Sequence, residues 1–265
     1  MQKTVLSCLL LVFAGCATVP SGKPDPRDPW ERFNRSVFNF NEALDRAIAK
    51  PVAKGYVKVT PRIVRTGISN VYSNLDTVPT IINDVLQGKI RQAGHDSARF
   101  LMNSTLGLGG LFDPASAAGL DSNDEDLGQT FGKWGVQSGP YLMLPVLGPS
   151  SARDAFSRAA DTFLEPVWYL EDDSTRYLIR LGDLLDQRAS LLELDAQLER
   201  SYDRYAFIRN AWLQRREYQV KDGNVDDQSL ELEEEFKDDP EAGAAPAPDQ
   251  TPPPAEPAPS TPPPQ

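Results

Sequence analysis

The sequence predicts an all-α fold, preceded by a targeting signal and followed by a disordered tail. Apolar residues recur at spacings of three and four along most of the body, which is the period of a helix face. No alternating run of β-branched residues is long enough to indicate a sheet. The 265 residues are 40% hydrophobic, which is a globular composition.

Residues 1–15 have the pattern of a secretory signal peptide. Lys3 is followed by a short apolar run from Val5 to Ala14. Phe13-Ala14-Gly15-Cys16 resembles a bacterial lipobox, although phenylalanine stands where leucine is usual. We therefore predict cleavage before Cys16 and lipidation of its thiol; an ordinary signal peptide with a chance cysteine is the alternative. Cys8 would be removed, so the mature chain would have no thiol for a disulfide.

The composition of both ends of the mature chain predicts that neither is part of the globular fold. Residues 16–27 form a short polar tether behind the anchor. Residues 222–265 carry 12 acidic residues and one lysine, so they hold the whole net charge of −11, and 11 prolines follow from Pro240. We predict that this tail is disordered, and either dispensable or a docking peptide. The remaining body is neutral, which argues against a nucleic-acid partner.

The predicted helices follow one another through the body. Asp28-Pro29-Trp30-Glu31 predicts a capped helix start, and Lys50-Pro51 predicts the end of that helix. Its apolar face comprises Trp30, Phe33, Val37, Phe40, Leu44 and Ile48. Further helices are predicted at about 61–71, 77–87, 89–103, 149–164, 175–201 and 204–219.

The middle of the body is both glycine-rich and apolar. Residues 105–148 contain nine of the 18 glycines, with leucines and aromatic residues between them. Soluble loops are normally polar. This composition favours a tight turn against a lipid surface or a hinge, and a buried loop in an ordinary core is the alternative.

No catalytic or metal site is predicted. The single histidine, His95, excludes motifs that need two. Residues 121–126 match a calcium loop poorly and fit a solvated turn and helix start better. We expect no enzyme activity, no metal and no cofactor other than the covalent lipid on Cys16.

Ordered sequence blocks from residue 28 to about 220 resemble one family. They include Asp28-Pro29-Trp30-Glu31-Arg32-Phe33-Asn34-Arg35, Asn103-Ser104-Thr105-Leu106-Gly107, Gly109-Gly110-Leu111-Phe112-Asp113-Pro114 and Gly139-Pro140-Tyr141. Together they are similar to the VacJ/MlaA family of outer-membrane phospholipid-transport lipoproteins, and they assign residues 28–221 to its lipid-transport domain.

This resemblance implies both an architecture and a function. The body would be a compact multi-helix disc in the periplasmic leaflet of the outer membrane of a Gram-negative bacterium, with a polar central channel. It would associate with trimeric porins, remove mislocalised phospholipids from the outer leaflet, and pass them to the periplasmic carrier of an ABC-transporter pathway. A structural lipoprotein that scaffolds an outer-membrane assembly is the main alternative, and a lipid hydrolase is a second.

Within that architecture, we predict the channel and its gate. Uncharged polar side chains are expected to line the channel, although helix capping or inter-helix hydrogen bonding would explain each of them as well. The loop 135–148 is expected to be the gate, because it combines glycines with apolar residues for lipid contact. The predicted set is Asn39, Phe40, Asn41, Asn103, Ser104, Thr105, Gly107, Gly135, Gly139, Tyr141, Leu142, Met143, Leu144 and Val146.

Overall fold

The computed structural model describes residues 25–224, so Cys16, the tether before residue 25 and the acidic tail lie outside the described residues. By internal contacts the chain divides into residues 1–223 and 224–265, and every element named here belongs to the first unit. Of the described residues, 68% are helical and 4% are in strands. The all-α prediction is therefore confirmed.

Ten α-helices and one two-stranded hairpin make up the described chain. The helices are α1 Glu31–Leu44, α2 Lys50–Val59, α3 Arg62–Leu86, α4 Ile90–Thr105, α5 Pro114–Ala117, α6 Leu127–Lys133, α7 Ala152–Asp161, α8 Asp173–Ser190, α9 Asp195–Leu198 and α10 Arg204–Val220. A π-helical turn, Asp45–Ala49, joins α1 to α2, and 3₁₀ turns occupy Pro166–Tyr169 and Leu191–Glu193.

The first helical segment differs from its prediction at both ends. Asp28 does not cap the helix with its carboxylate, and α1 begins three residues later, at Glu31. Pro51 does not end the segment. The backbone N–H of Lys50 donates to the carbonyl of Asp45, five residues back, so the chain widens into a π turn just before the proline. A proline ring clashes with the preceding turn of a regular helix, and it is tolerated at the start of a new one, where α2 places Pro51.

Two other helices have different lengths from those predicted. The pieces at 61–71 and 77–87 are one helix, α3, which continues through Pro79. Conversely, α8 ends at Ser190 instead of about 201. The break lies where Asp195 pairs with Arg188 and Lys50, so contacts distant in sequence compete with continuation of the helix.

The hairpin is the one sheet among the described residues, and no strand was predicted there. β1, Tyr141–Leu144, pairs antiparallel with β2, Gly148–Ser151, and Tyr141 lies opposite Ser151. Four-residue strands are too short to show an alternating pattern that sequence alone would reveal. The side chains of Tyr141 and Met143 join Val37 of α1 and Tyr205 of α10 in a small buried cluster.

Candidate functional site

Two asparagines of α1 hold the hairpin. Asn34 donates from Nδ2 to the carbonyl of Tyr141 (3.1 Å) and accepts on Oδ1 from the N–H of Met143 (2.9 Å). Asn41 does the same for Leu144 (2.9 Å) and Val146 (2.8 Å). The two lie seven residues apart, which is about two turns, so they share one helix face. The amide of Asn34 supplies a donor and an acceptor that a third strand would give the outer edge of β1, and the amide of Asn41 holds the end of β1 and the turn that follows it.

A buried acidic residue fixes Asn34 in place. Asp28 accepts from Asn34 Nδ2 (2.7 Å), from Arg209 (3.1 Å) and from the hydroxyl of Tyr205. Burial, and then the hydrogen bond to Asp28, raise the pKa of the Tyr205 phenol, so it stays a neutral donor. α1, α10 and the hairpin therefore meet at one polar junction that water does not reach.

The structure separates the predicted gate residues by exposure. Tyr141 and Met143 are 0% and 2% exposed and pack in the core, so the predicted lipid contact is wrong for these two side chains in this conformation. Alternation along the strand causes this, because residues 141 and 143 point to one face and 142 and 144 to the other. Leu142 and Leu144 are half-buried, and Val146, Gly135 and Gly139 are exposed.

Most of the predicted polar lining makes inter-element hydrogen bonds. Asn103 donates to Asp113 (3.0 Å) and accepts from the N–H of Ala115 (3.1 Å), and Ser104 accepts from Asn74 (3.0 Å). These contacts match the alternative of inter-helix bonding, whereas Asn41 bonds the hairpin. Thr105 donates to the carbonyl of Leu101, one turn earlier in its own helix.

The remaining residues of the predicted channel set make no hydrogen bond between elements through their side chains. Asn39 and Phe40 lie exposed on α1. Gly107 is buried against the backbone of residues 103 and 112, which leaves no room for a side chain. A channel role for the predicted set stays a prediction.

A cluster of carboxyl groups escaped the sequence analysis. It comprises Asp76 of α3, Asp124, Asp161 of α7, Glu165 and Asp183 of α8, which we call the acidic cluster. Apart from Asp161 and Glu165, which are four residues apart, these residues are distant in sequence, so no motif signals the cluster. Four separate stretches of the chain contribute to it.

Two members of the acidic cluster have a raised pKa although neither is fully buried. Asp76 is exposed, yet desolvation, followed by the charges of Asp183, Glu165 and Asp124, raises its pKa to about 7. Desolvation also raises the pKa of Asp161 to about 6. Solvent contact together with desolvation is expected of a group inside a recess. Asp124 and Asp161 also face a cavity of about 230 Å³ between α7 and α10.

Arg216 closes one side of that cavity. Its guanidinium contacts Asp126 (2.6 Å) and Asp154 (3.0 Å), and Asp126 also caps α6 by accepting from the N–H of Gln129 (2.8 Å). The predicted helix start after residues 121–126 is thus confirmed. Gly128 lies against Arg216 and Asp154 with no space for a Cβ.

The distribution of polarity is inverted relative to a water-soluble domain. Nine apolar residues are buried among the described residues, compared with twenty polar or charged ones. Large apolar side chains are exposed instead, among them Trp30, Phe33, Ile63, Leu108, Phe112, Phe156, Tyr177, Leu178 and Leu181. Extended apolar surface marks contact with a protein or a membrane. Within residues 25–224, no helix combines the length and apolar character needed to span a bilayer.

Fold and site together define a helical protein with exposed apolar side chains and a polar interior. The MlaA lipoprotein family model matches residues 26–219, and the chain belongs to this family. The intermembrane phospholipid transport system lipoprotein MlaA of Escherichia coli is 33% identical, over 90% of this chain and 97% of its own. The Haemophilus influenzae lipoprotein of the same name is 31% identical, over 89% and 96%.

Two further comparisons give similar sequence identities. An uncharacterized protein of Rickettsia prowazekii is 36% identical over 73% of this chain and 78% of its own length. A solved structure described as the structural basis for maintenance of bacterial outer membrane lipid asymmetry superposes with a TM-score of 0.65 at 35% identity. It covers 73% of this chain and 98% of the solved chain. The resemblance seen in the sequence is confirmed.

Proposed function

We propose that this protein removes mislocalised phospholipids from the outer leaflet of the outer membrane and passes them to a periplasmic carrier. The observation that carries the proposal is the inverted polarity, with apolar side chains outside and a polar, acidic recess within. Relatives named as lipoproteins of an intermembrane phospholipid transport system support it. Cys16 would carry the lipid anchor on the periplasmic face, and trimeric porins and a carrier of an ABC-transporter pathway would be partners.

The energetics of lipid transfer require such an arrangement. Burying one acyl CH₂ is worth about 0.8 kcal/mol, so exposing two chains of about 16 carbons to water would cost about 25 kcal/mol. Spontaneous release is therefore too slow to be useful, and the tails must stay covered along the path. A protein seated in one leaflet meets this need if its exterior contacts lipid tails and its interior accepts the headgroup. The acidic cluster is our candidate for part of that interior.

The hairpin is our candidate for the gate, because it is joined to α1 largely through side-chain amides. Gly139 stands at its base with φ of 69°, a backbone conformation that favours glycine. A Cβ there would also lie 3.1 Å from the Cβ of Ala152. Replacing Gly139 with valine is therefore expected to displace the base of β1 and raise surface phospholipid.

The comparison for this variant is Gly55→Ala in α2, where a Cβ would meet nothing within 4 Å. Surface phospholipid and detergent resistance would be measured in host cells carrying each variant at equal protein level. Wild-type values for Gly139→Val would contradict the gate assignment.

The overall function is tested by deleting the protein in its own host. Outer-leaflet phospholipid would be quantified by phospholipase accessibility, with complementation by the wild-type chain and by Cys16→Ala. We expect surface phospholipid to rise on deletion and to fall again only with the lipidated form. No rise would favour the scaffold alternative. Turnover of phospholipid by the purified protein would favour the hydrolase.

A further inference from the structure

Two carboxyl groups are buried against each other between α3 and α4. Asp84 and Asp96 are 0% and 1% exposed, and one amide nitrogen, that of Asn123, lies within hydrogen-bond distance of both carboxyl groups. Neutral amides surround them: Asn123 Nδ2 lies 3.4 Å from Asp84 Oδ1 and 3.3 Å from Asp96 Oδ2, and Gln92 donates to Asp96 (3.1 Å). The pair joins both helices to the 121–126 loop.

The positive charges around the pair offset it only in part: the charge of Lys89 acts to lower the pKa of Asp84 but does not outweigh burial and Asp96. Lys89, in the turn between the helices, binds Glu125 (2.7 Å) and Asp222. Arg99 of α4 contacts Asp113 (2.8 Å) and turns away from the pair. Glu125, on the loop, adds a further negative charge near Asp84.

His95 lies next to Asp96 on α4, with Nδ1 3.4 Å from its Oδ1, and it carries charge only when protonated. Within residues 25–224, no cationic side chain is hydrogen-bonded to Asp84. Two adjacent buried carboxylates do not both ionise readily, and one proton held by the pair removes one of the two charges.

We propose that Asp84 and Asp96 share one proton at neutral pH, and that its loss loosens the contact between α3, α4 and the 121–126 loop. Asp84 Oδ2 is buried without a hydrogen-bond partner, as expected of an oxygen that carries or accepts a proton held by the pair. Burial, followed by the hydrogen bond and charge of Asp96, raises the pKa of Asp84 to about 7. Protonation of the pair would thus control the contact between the two helices and the loop, at a place separate from the hairpin.

The raised pKa of Asp84 determines how the stability of the fold changes with pH. The unfolded carboxyl releases its proton near 3.8, whereas the folded one keeps it until about 7. The folded state therefore binds the extra proton in this window, so stability falls as pH rises from about 4 to about 7 and this contribution is flat above it. Because unfolding releases one proton in this window, the equilibrium constant for unfolding rises about tenfold per pH unit.

Infrared difference spectroscopy of the full chain in D₂O and detergent is the direct test. Wild-type protein at about pH 5.5 should show a protonated-carboxyl band that disappears by about pH 9. Asp76 and Asp161 also have raised pKa values and contribute similar bands. Only the part of the band that Asp84→Asn removes is therefore assigned to the pair. The same substitution should also reduce the slope of the free energy of unfolding against pH by the amount that one bound proton contributes. Asp121→Asn, an exposed acid in the adjoining loop, is the matched control and should leave both unchanged.

Asp96→Asn is a second variant with the same expectation, and it serves if Asp84→Asn does not fold. An identical band and an identical slope in wild type and in either variant would overturn the proposal. So would a band that added Ca²⁺ or Mg²⁺ abolishes while raising the melting temperature, because the pair would then hold a metal ion instead of a proton.

Discussion

Replacing Asn34 with alanine is expected to destabilise the protein by about 3–5 kcal/mol. Asn34 is 0% exposed and makes three hydrogen bonds, to Asp28, to the carbonyl of Tyr141 and from the N–H of Met143. Alanine leaves all three groups buried without this partner, and each such group costs about 1–3 kcal/mol. The effect should exceed that of Asn41→Ala, since Asn41 is only half-buried and water can replace part of its contacts.

Denaturant unfolding in detergent would measure the loss of stability. Asn39→Ala is the matched control, because Asn39 lies on the same helix but is exposed, and its expected change is within about 0.5 kcal/mol. Protease cleavage within the hairpin should also increase in Asn34→Ala before global unfolding. Equal stabilities of the Asn34 and Asn39 variants would contradict the anchoring role.

Replacing Arg216 with alanine is expected to have a comparable effect, about 3–5 kcal/mol. Arg216 is 9% exposed and bonds both Asp126 and Asp154. Burial acts to raise the pKa of Asp154, but hydrogen bonds from Arg216 and then Arg153 outweigh it, and the pKa is lowered. Without Arg216, the buried carboxylate of Asp154 is left with Arg153 and the hydroxyl of Ser151, and Asp126, the N-cap of α6, loses its ion-pair partner.

The neighbouring Arg215 provides the control for this variant. Arg215 is exposed on the same helix, and Arg215→Ala should change stability little. Because the pKa of Asp154 is lowered in the folded state, the stabilisation by Arg216 is present above the unfolded value of 3.8 and is lost as pH falls below it. The difference between wild type and Arg216→Ala should therefore shrink in acid. A difference that stays constant down to about pH 2 would contradict the ion-pair explanation.

The helix positions that the sequence predicts well are those decided by local signals. The segment at about 204–219 corresponds to α10, Arg204–Val220, because its pattern and its Asp203 cap lie within the segment itself. The segment at about 149–164 contains α7, which Ser151 caps by accepting from the N–H of Asp154. The errors lie where distant residues intervene, as at Pro51, where a π turn widens the helix, and after Ser190, where Asp195 pairs with Lys50.

The site was predicted less completely than the fold. Resemblance over residues 28 to about 220 identified the family, and the glycine-rich, apolar segment 105–148 that the sequence sets apart contains β1. Which of its side chains are buried depends on strand alternation, and four-residue strands leave no readable period. Asn34 was quoted only as part of a family block. Its hydrogen bonds reach residues more than 100 positions away, and no local pattern reports them.

By itself, the sequence determined the helical class, most helix positions, the family and the expectation of a lipid anchor at Cys16. These follow from periodicity, capping residues and ordered motifs, all of which are local in the chain. Only the tertiary structure decided that polar side chains fill the interior while apolar ones face outward. A helix pattern shows that two faces differ but not which face points inward, and that choice depends on the surroundings that each face meets.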